Sequence, residues 1–212
     1  MLDLFSRLTV IAVFLLSAAG TTTLVSAQVP FMGRCPNTPV VKDFKAESFL
    51  GRWYEQEKYP FVFELAARCV VAEYGLDTEG RISVFNRQLN TITGNENSIR
   101  GLARVAQPGK MVVSFSIPFN VDSPYWVIGS DYSNYAVVLS CMDIGGLMHT
   151  KVVWILTRDR SPSIDIMKKA YAVLDSAKLS RAYLTRTDQK NCEPRKKKTV
   201  PTSKIIIRPI KK

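Results

Sequence analysis

One histidine, His149, is all that this 212-residue sequence contains, and its four cysteines, Cys35, Cys69, Cys141 and Cys192, are widely scattered. Neither residue type supplies ligand spacing, so no metal centre is expected. No Asn-x-Ser/Thr triplet occurs, because Asn37-Thr38-Pro39 lacks the hydroxyl at its third place. N-linked glycosylation is therefore not expected. Past residue 27, no apolar run reaches the ~20 residues that a transmembrane helix requires.

What is present at the start is a secretory pattern. Arg7 lies in a short polar opening, LTVIAVFLLSAA forms the apolar stretch, and Val25-Ser26-Ala27 gives small residues ahead of a cut before Gln28. Residues 1–27 are thus expected to be removed as a signal peptide, and the protein is expected to be secreted and extracellular. An even number of cysteines in an exported chain implies two disulfides, whose three possible pairings the spacing leaves open.

The net charge of +11 is uneven. Residues 193–212 hold eight Lys or Arg against Glu193, whereas residues 28–192 hold twenty basic and sixteen acidic residues. The folded part, expected over 28–192, is only mildly basic. The tail EPRKKKTVPTSKIIIRPIKK has three prolines, a basic run and no amphipathic period, and reads as disordered. It serves either as a solvated tail or as an electrostatic tether, each basic residue near an anionic membrane contributing on the order of 1 kcal/mol. A nuclear address in Arg195-Lys196-Lys197-Lys198 is incompatible with export, and nucleic acid is not expected as a partner.

From Trp53 to Arg158 the chain reads as short strands over 52–58, 68–76, 81–90, 97–106, 110–117, 124–131, 134–141 and 150–158. Each is rich in Val, Ile, Tyr, Phe or Trp and bounded by Gly, Pro, Asn or Asp. The fold class is therefore mainly β, an eight-stranded antiparallel up-and-down β-barrel able to hold one small ligand. A helix follows. Ser161 is expected as its N-cap and Pro162 as its first residue, with Ile164, Met167, Tyr171 and Leu174 forming an apolar stripe against the outside of the barrel.

Strand parity points to the interior. In RISVFNRQLN, Arg81, Ser83, Phe85 and Arg87 share one face and Ile82, Val84, Asn86 and Gln88 the other. The arginines must face water, so Asn86 and Gln88 point inward, where an amide needs a partner. Met111, Val113, Phe115 and Ile117 share one face of the next long strand, and Val152, Trp154 and Leu156 the inner face of the last. Such a lining suits a small-molecule pocket, the alternative being a solid core of the same aromatics.

Three motifs occur in order: Gly51-Arg52-Trp53 on the first strand, Ser130-Asp131-Tyr132 between the sixth and seventh, and Arg158 after the eighth. They resemble the signature motifs of the lipocalin family. The stretches CPNTPVVKDF, LGRWYEQEKYP, PYWVIGSDYSNYAVVLSC, WILTR and TDQKNC are similar to its apolipoprotein D, Lazarillo-type and bilin-binding subgroup, over residues 35–192.

The resemblance implies pairings Cys35 with Cys141 and Cys69 with Cys192. It implies a floor in which Arg158 lies across the Trp53 indole, Gly51 leaves room, and Asp131 and Tyr132 add polar contacts; Ser130 replaces a more usual threonine. It implies a ligand site of Asn86, Gln88, Phe115 and Trp154, which parity also supports, together with Tyr74 and Tyr125, which rest on the likeness alone. The implied cargo is a fatty acid, steroid, retinoid or linear tetrapyrrole, and Gln88 stands where apolipoprotein D has a carboxylate. A biliverdin-type pigment protein, or a protective or signalling lipocalin at a membrane or lipoprotein surface, is the alternative. That contact would run through the apolar loop YPFVFEL, residues 59–65, which reads equally as a lid, or through the basic tail. No enzyme activity and no cofactor are expected, since the motifs assemble no activated nucleophile and base.

Overall fold

The computed structural model describes residues 30–61, 64–115 and 121–193. The leader over 1–27, Phe63, Ile117 and the tail beyond Glu193 lie outside the described residues.

Eight strands form the barrel: β2 (Gly51–Lys58), β3 (Ala67–Leu76), β4 (Ile82–Asn90), β5 (Glu96–Gln107), β6 (Lys110–Phe115), β7 (Val121–Ser130), β8 (Tyr135–Ile144) and β9 (Met148–Thr157). Each pairs antiparallel with the next, and β9 pairs back onto β2, which closes the sheet. The expected eight-stranded up-and-down barrel is thus the fold. Short polar residues set its turns. Asp77 Oδ1 accepts from the backbone of Glu79 and Arg81, and Asn90 Oδ1 from Ile92 and Thr93, each side chain standing in for a backbone acceptor.

Two edge strands escaped the periodicity. β1 (Pro30–Met32) lies on β9, and β10 (Thr185–Arg186) lies on β2. At three and two residues they are too short to show alternation. Disulfides Cys35–Cys141 and Cys69–Cys192 fasten the same two terminal segments to β8 and β3.

Apolar side chains gather on both sides of the wall. Inside, Phe49, from the short helix α1 (Ala46–Phe49), packs with Trp53, Tyr74, Val84, Met111, Val113, Val138 and Leu156. Outside, Val137, Leu139, Val153 and Ile155 meet Ala170 and Leu174 of helix α2 (Ile164–Ser176). Of the three residues expected inside on β9, Leu156 joins the inner cluster, Trp154 touches both, and Val152 packs into the second. Gly129 on β7 lets α2 approach, since a Cβ there would lie 2.7 Å from Val173.

The start of α2 corrects the expected cap. Ser163, not Ser161, is the N-cap; its backbone is extended and its hydroxyl accepts from Ile166 N, while Ser161 N donates to Asp159 Oδ1 in the preceding turn. Pro162 therefore stands before the helix rather than in it. Starting two residues later also leaves Ile164, expected in the buried stripe, 75% exposed, and Ala170 is buried instead. Replacing Ser163 by alanine is expected to lower stability by about 1 kcal/mol in urea unfolding, whereas Ser161→Ala leaves it within a few tenths.

Candidate functional site

The first motif closes one end of the barrel. Trp53 is fully buried, and its Nε1 donates to the carbonyl of Phe49 at 2.8 Å. Across its face lies Arg158, with Cζ 3.7 Å from the ring centroid. The guanidinium also donates to three carbonyls, those of Tyr132 at 2.9 Å, Arg52 at 2.9 Å and Ser48 at 3.0 Å. One side chain thus ties α1, β2 and the β7–β8 turn to the floor. At Gly51 the backbone sits at φ +94, and a Cβ would stand 3.1 Å from Arg158 Nη1, so the position needs glycine on both counts.

The second motif builds the neighbouring turn. Asp131 Oδ1 accepts from Asn134 N and Tyr135 N, and Oδ2 from Asn134 Nδ2. Burial alone would raise its carboxyl, but these bonds outweigh burial and hold it below the ordinary range. Ser130 Oγ donates to Tyr135 O and accepts from Tyr132 N, while the Tyr132 hydroxyl accepts from Lys45 N at 3.0 Å.

Above the floor lies the lumen. Residues opposed across antiparallel strands share a face, so the pairing of Trp53 with Ala72, and of Ala72 with Asn86, carries the inward direction from β2 to β4. Tyr74 donates to the Tyr125 hydroxyl at 2.6 Å, and Tyr125 stacks on Trp154 with centroids 6.3 Å apart. Burial pushes both phenols up, joined at Tyr125 by the neighbouring Tyr74 and, less, by the charge of Glu55. Phe115 packs against the same cluster. Asn86 Oδ1 is fully shielded from solvent yet has no hydrogen-bond partner. Asn86, Gln88, Phe115, Tyr125 and Trp154 all remain half-buried, although their strands enclose them.

The lumen also holds charges that sequence reasoning missed. Glu55 is 2% exposed and Lys58 6%, opposite Leu156 and Trp154 respectively, both of which face in. Lys58 Nζ donates to Glu55 Oε1 at 3.0 Å and to Glu64 Oε2, on the β2–β3 loop, at 2.5 Å. Thr187 Oγ1 donates to the same oxygen of Glu55. Burial would lower the Lys58 ammonium, but the two carboxylates outweigh it and hold it above its ordinary value. Burial and the charge of Glu55 push Glu64 up to about 8 against the pull of Lys58.

A bulge hid them. The β2–β9 register slips between Glu55 and Glu57, so Gln56 is the extra residue and Lys58 turns inward with Glu55. Strict alternation from Trp53 would have put Glu57 inside and Lys58 outside. The one visible signal was three charges within the four residues 55–58 of a strand that must help close a barrel.

Residues 50–191 match the Lipocalin / cytosolic fatty-acid binding protein family. The chain is a lipocalin. It is 37% identical to apolipoprotein D of Mus musculus over 182 residues, covering 84% of this chain and 95% of that protein. The Lazarillo protein of Schistocerca americana is 30% identical over 161 residues, 73% of this chain and 74% of that one. Among solved structures, insecticyanin from Manduca sexta superposes with a TM-score of 0.69 at 27% identity, covering 76% and 89% of the two chains. The subgroup suggested by the motifs is thus the one to which this lipocalin is similar.

Proposed function

We propose that this lipocalin is a secreted carrier, cut ahead of Gln28, whose calyx residues Asn86, Gln88, Phe115, Tyr125 and Trp154, with Tyr74 beneath them, contact the cargo. The chain binds and transports a small hydrophobic ligand in its barrel. One observation carries the reading: side chains that point into a closed barrel keep accessible surface, which a solid core would deny them. A hydrophobic ligand leaving water for this lining gains roughly 25 cal/mol per Å² of apolar surface buried. Catalysis has no place in the reading. Both disulfides together account for all four cysteines, and no thiol is left free.

The 59–65 loop serves both as part of a lid and as an outer contact. Phe61 meets Trp154 edge-on at 5.9 Å and Glu64 reaches Lys58, while Leu65 stands 73% exposed on the outside. That apolar tip and the basic tail are the surfaces for membrane or lipoprotein contact.

Titration of the secreted protein with all-trans-retinol, followed by tryptophan quenching, tests the carrier reading. Saturable 1:1 binding is expected, and Trp154→Ala is expected to weaken it about tenfold or more through lost apolar contact, with far-UV circular dichroism unchanged. Absence of saturable binding by retinol, and of any lipid by native mass spectrometry of the secreted material, would remove the proposal. Visible absorbance of that material would favour a pigment instead.

A further inference from the structure

Resting on the carrier reading, we propose that the calyx selects apolar molecules whose polar end is a neutral hydrogen-bond donor, an alcohol above all, and rejects the free carboxylic acid of the same skeleton. A carboxylate taken out of water needs a cation or several donors waiting for it. Lys58 is the one ammonium that the described strands turn into the lumen, and Glu55 and Glu64 already hold it at 3.0 and 2.5 Å. With two carboxyl groups around one ammonium, the fixed charge there is zero when Glu64 keeps its proton and negative when it does not. An incoming carboxylate therefore meets no spare positive charge.

The other strand cations are engaged elsewhere or exposed. Arg52 and Arg87 pair with Glu73, Arg68 donates to the carbonyls of Lys190 and Asn191, Arg104 pairs with Asp122, Arg100 lies over Phe85, Lys110 over Trp126 and Lys151 over Phe31, and Arg186 is exposed. Residues 62–63 and 116–120, Val-Phe and Ser-Ile-Pro-Phe-Asn, contain no basic side chain.

The lumen does offer an acceptor. Asn86 Oδ1 is buried and unpartnered, a state that a ligand O–H relieves and a carboxylate aggravates. Tyr74 and Tyr125 share one hydrogen bond at 2.6 Å, which leaves one phenol O–H of the pair for an oxygen of the ligand. An alcohol can donate to the amide oxygen and accept from a phenol; an ionised acid can only accept.

The test compares matched pairs on the full secreted chain at pH 7.4. All-trans-retinol is set against all-trans-retinoate by tryptophan quenching, and hexadecanol against hexadecanoate by displacement of a polarity-sensitive probe. The alcohol of each pair is expected to bind about tenfold more tightly, the factor for one well-made hydrogen bond. Asn86→Leu should shrink that ratio by weakening the alcohol, and the double change Glu55→Gln, Glu64→Gln should shrink it by strengthening the acid, because Lys58 is then left without a carboxylate partner. Saturable binding in which either acid equals or exceeds its alcohol overturns this selectivity and leaves the carrier reading standing. If neither member of either pair saturates, the carrier reading falls and takes this inference with it.

Discussion

Trp53→Ala lowers the unfolding free energy of this lipocalin by about 4 kcal/mol, the range for emptying a fully packed aromatic site. Trp53 has no exposure, packs on Phe49 and lies beneath Arg158, so no solvent or mobile side chain can fill the gap. Arg158→Ala costs about 2 to 3 kcal/mol, since it removes the cation over the indole and frees three carbonyls. The double variant loses about 1 kcal/mol less than the two added together, because the contact between them is counted in both single changes. Arg158→Lys recovers less than half of the loss. An ammonium keeps the charge but cannot present the planar fork that reaches Tyr132, Arg52 and Ser48 from above one ring. Urea unfolding of the four variants checks this; strict additivity of Trp53→Ala and Arg158→Ala would show that the two groups do not act as a unit.

Such a floor was open to reading only through the resemblance to lipocalins. Gly51-Arg52-Trp53, Ser130-Asp131-Tyr132 and Arg158 stand in the order and places of that family's motifs, and the cation over the indole was implied by them rather than by spacing. The strands were legible for a simpler reason: one face in and one face out writes period two into the side chains, and Asp77, Gly80 and Asn90 punctuate it. Reading fails where the period breaks. At Gln56 one extra residue reverses the alternation downstream of it in the strand, so period two alone would put Lys58 on the surface. At Ser161-Pro162-Ser163 two candidate caps flank a proline, and the choice between them rests on the turn made by Asp159, a contact that spacing does not encode. β1 and β10 are held by their partners rather than by any pattern of their own. Asn86 was found by parity, yet its lack of a partner is a fact of three dimensions.

The charges behind that bulge supply the other large effect. Lys58→Met leaves Glu55 and Glu64 facing each other without a cation, and at pH 8.5 it is expected to cost about 3 to 5 kcal/mol, the range for breaking one side of a buried ionic group. Removing the whole group is different. The triple variant Glu55→Gln, Lys58→Met, Glu64→Gln carries no buried charge and is expected to be far closer to wild type, because the desolvation that the ions suffered is gone along with their attraction. The pH dependence follows from Glu64. Burial and the charge of Glu55 hold its proton up to about pH 8 in the folded chain, whereas the unfolded chain releases it near the ordinary value of 4.5. Unfolding therefore releases a proton across that window, and stability falls as the pH rises through it, by on the order of a few kcal/mol. Asp131 and Glu73, both held below the ordinary range, act the opposite way but only at lower pH, outside the window. Glu64→Gln should flatten the slope between pH 5.5 and 8.5, and Lys58→Met should steepen it, since without the ammonium Glu64 holds its proton to a still higher pH. Urea unfolding at those two pH values separates the outcomes: a Lys58→Met variant as stable as wild type at pH 8.5, or an unchanged slope in Glu64→Gln, would show that these groups do not share the dry interior that their distances imply.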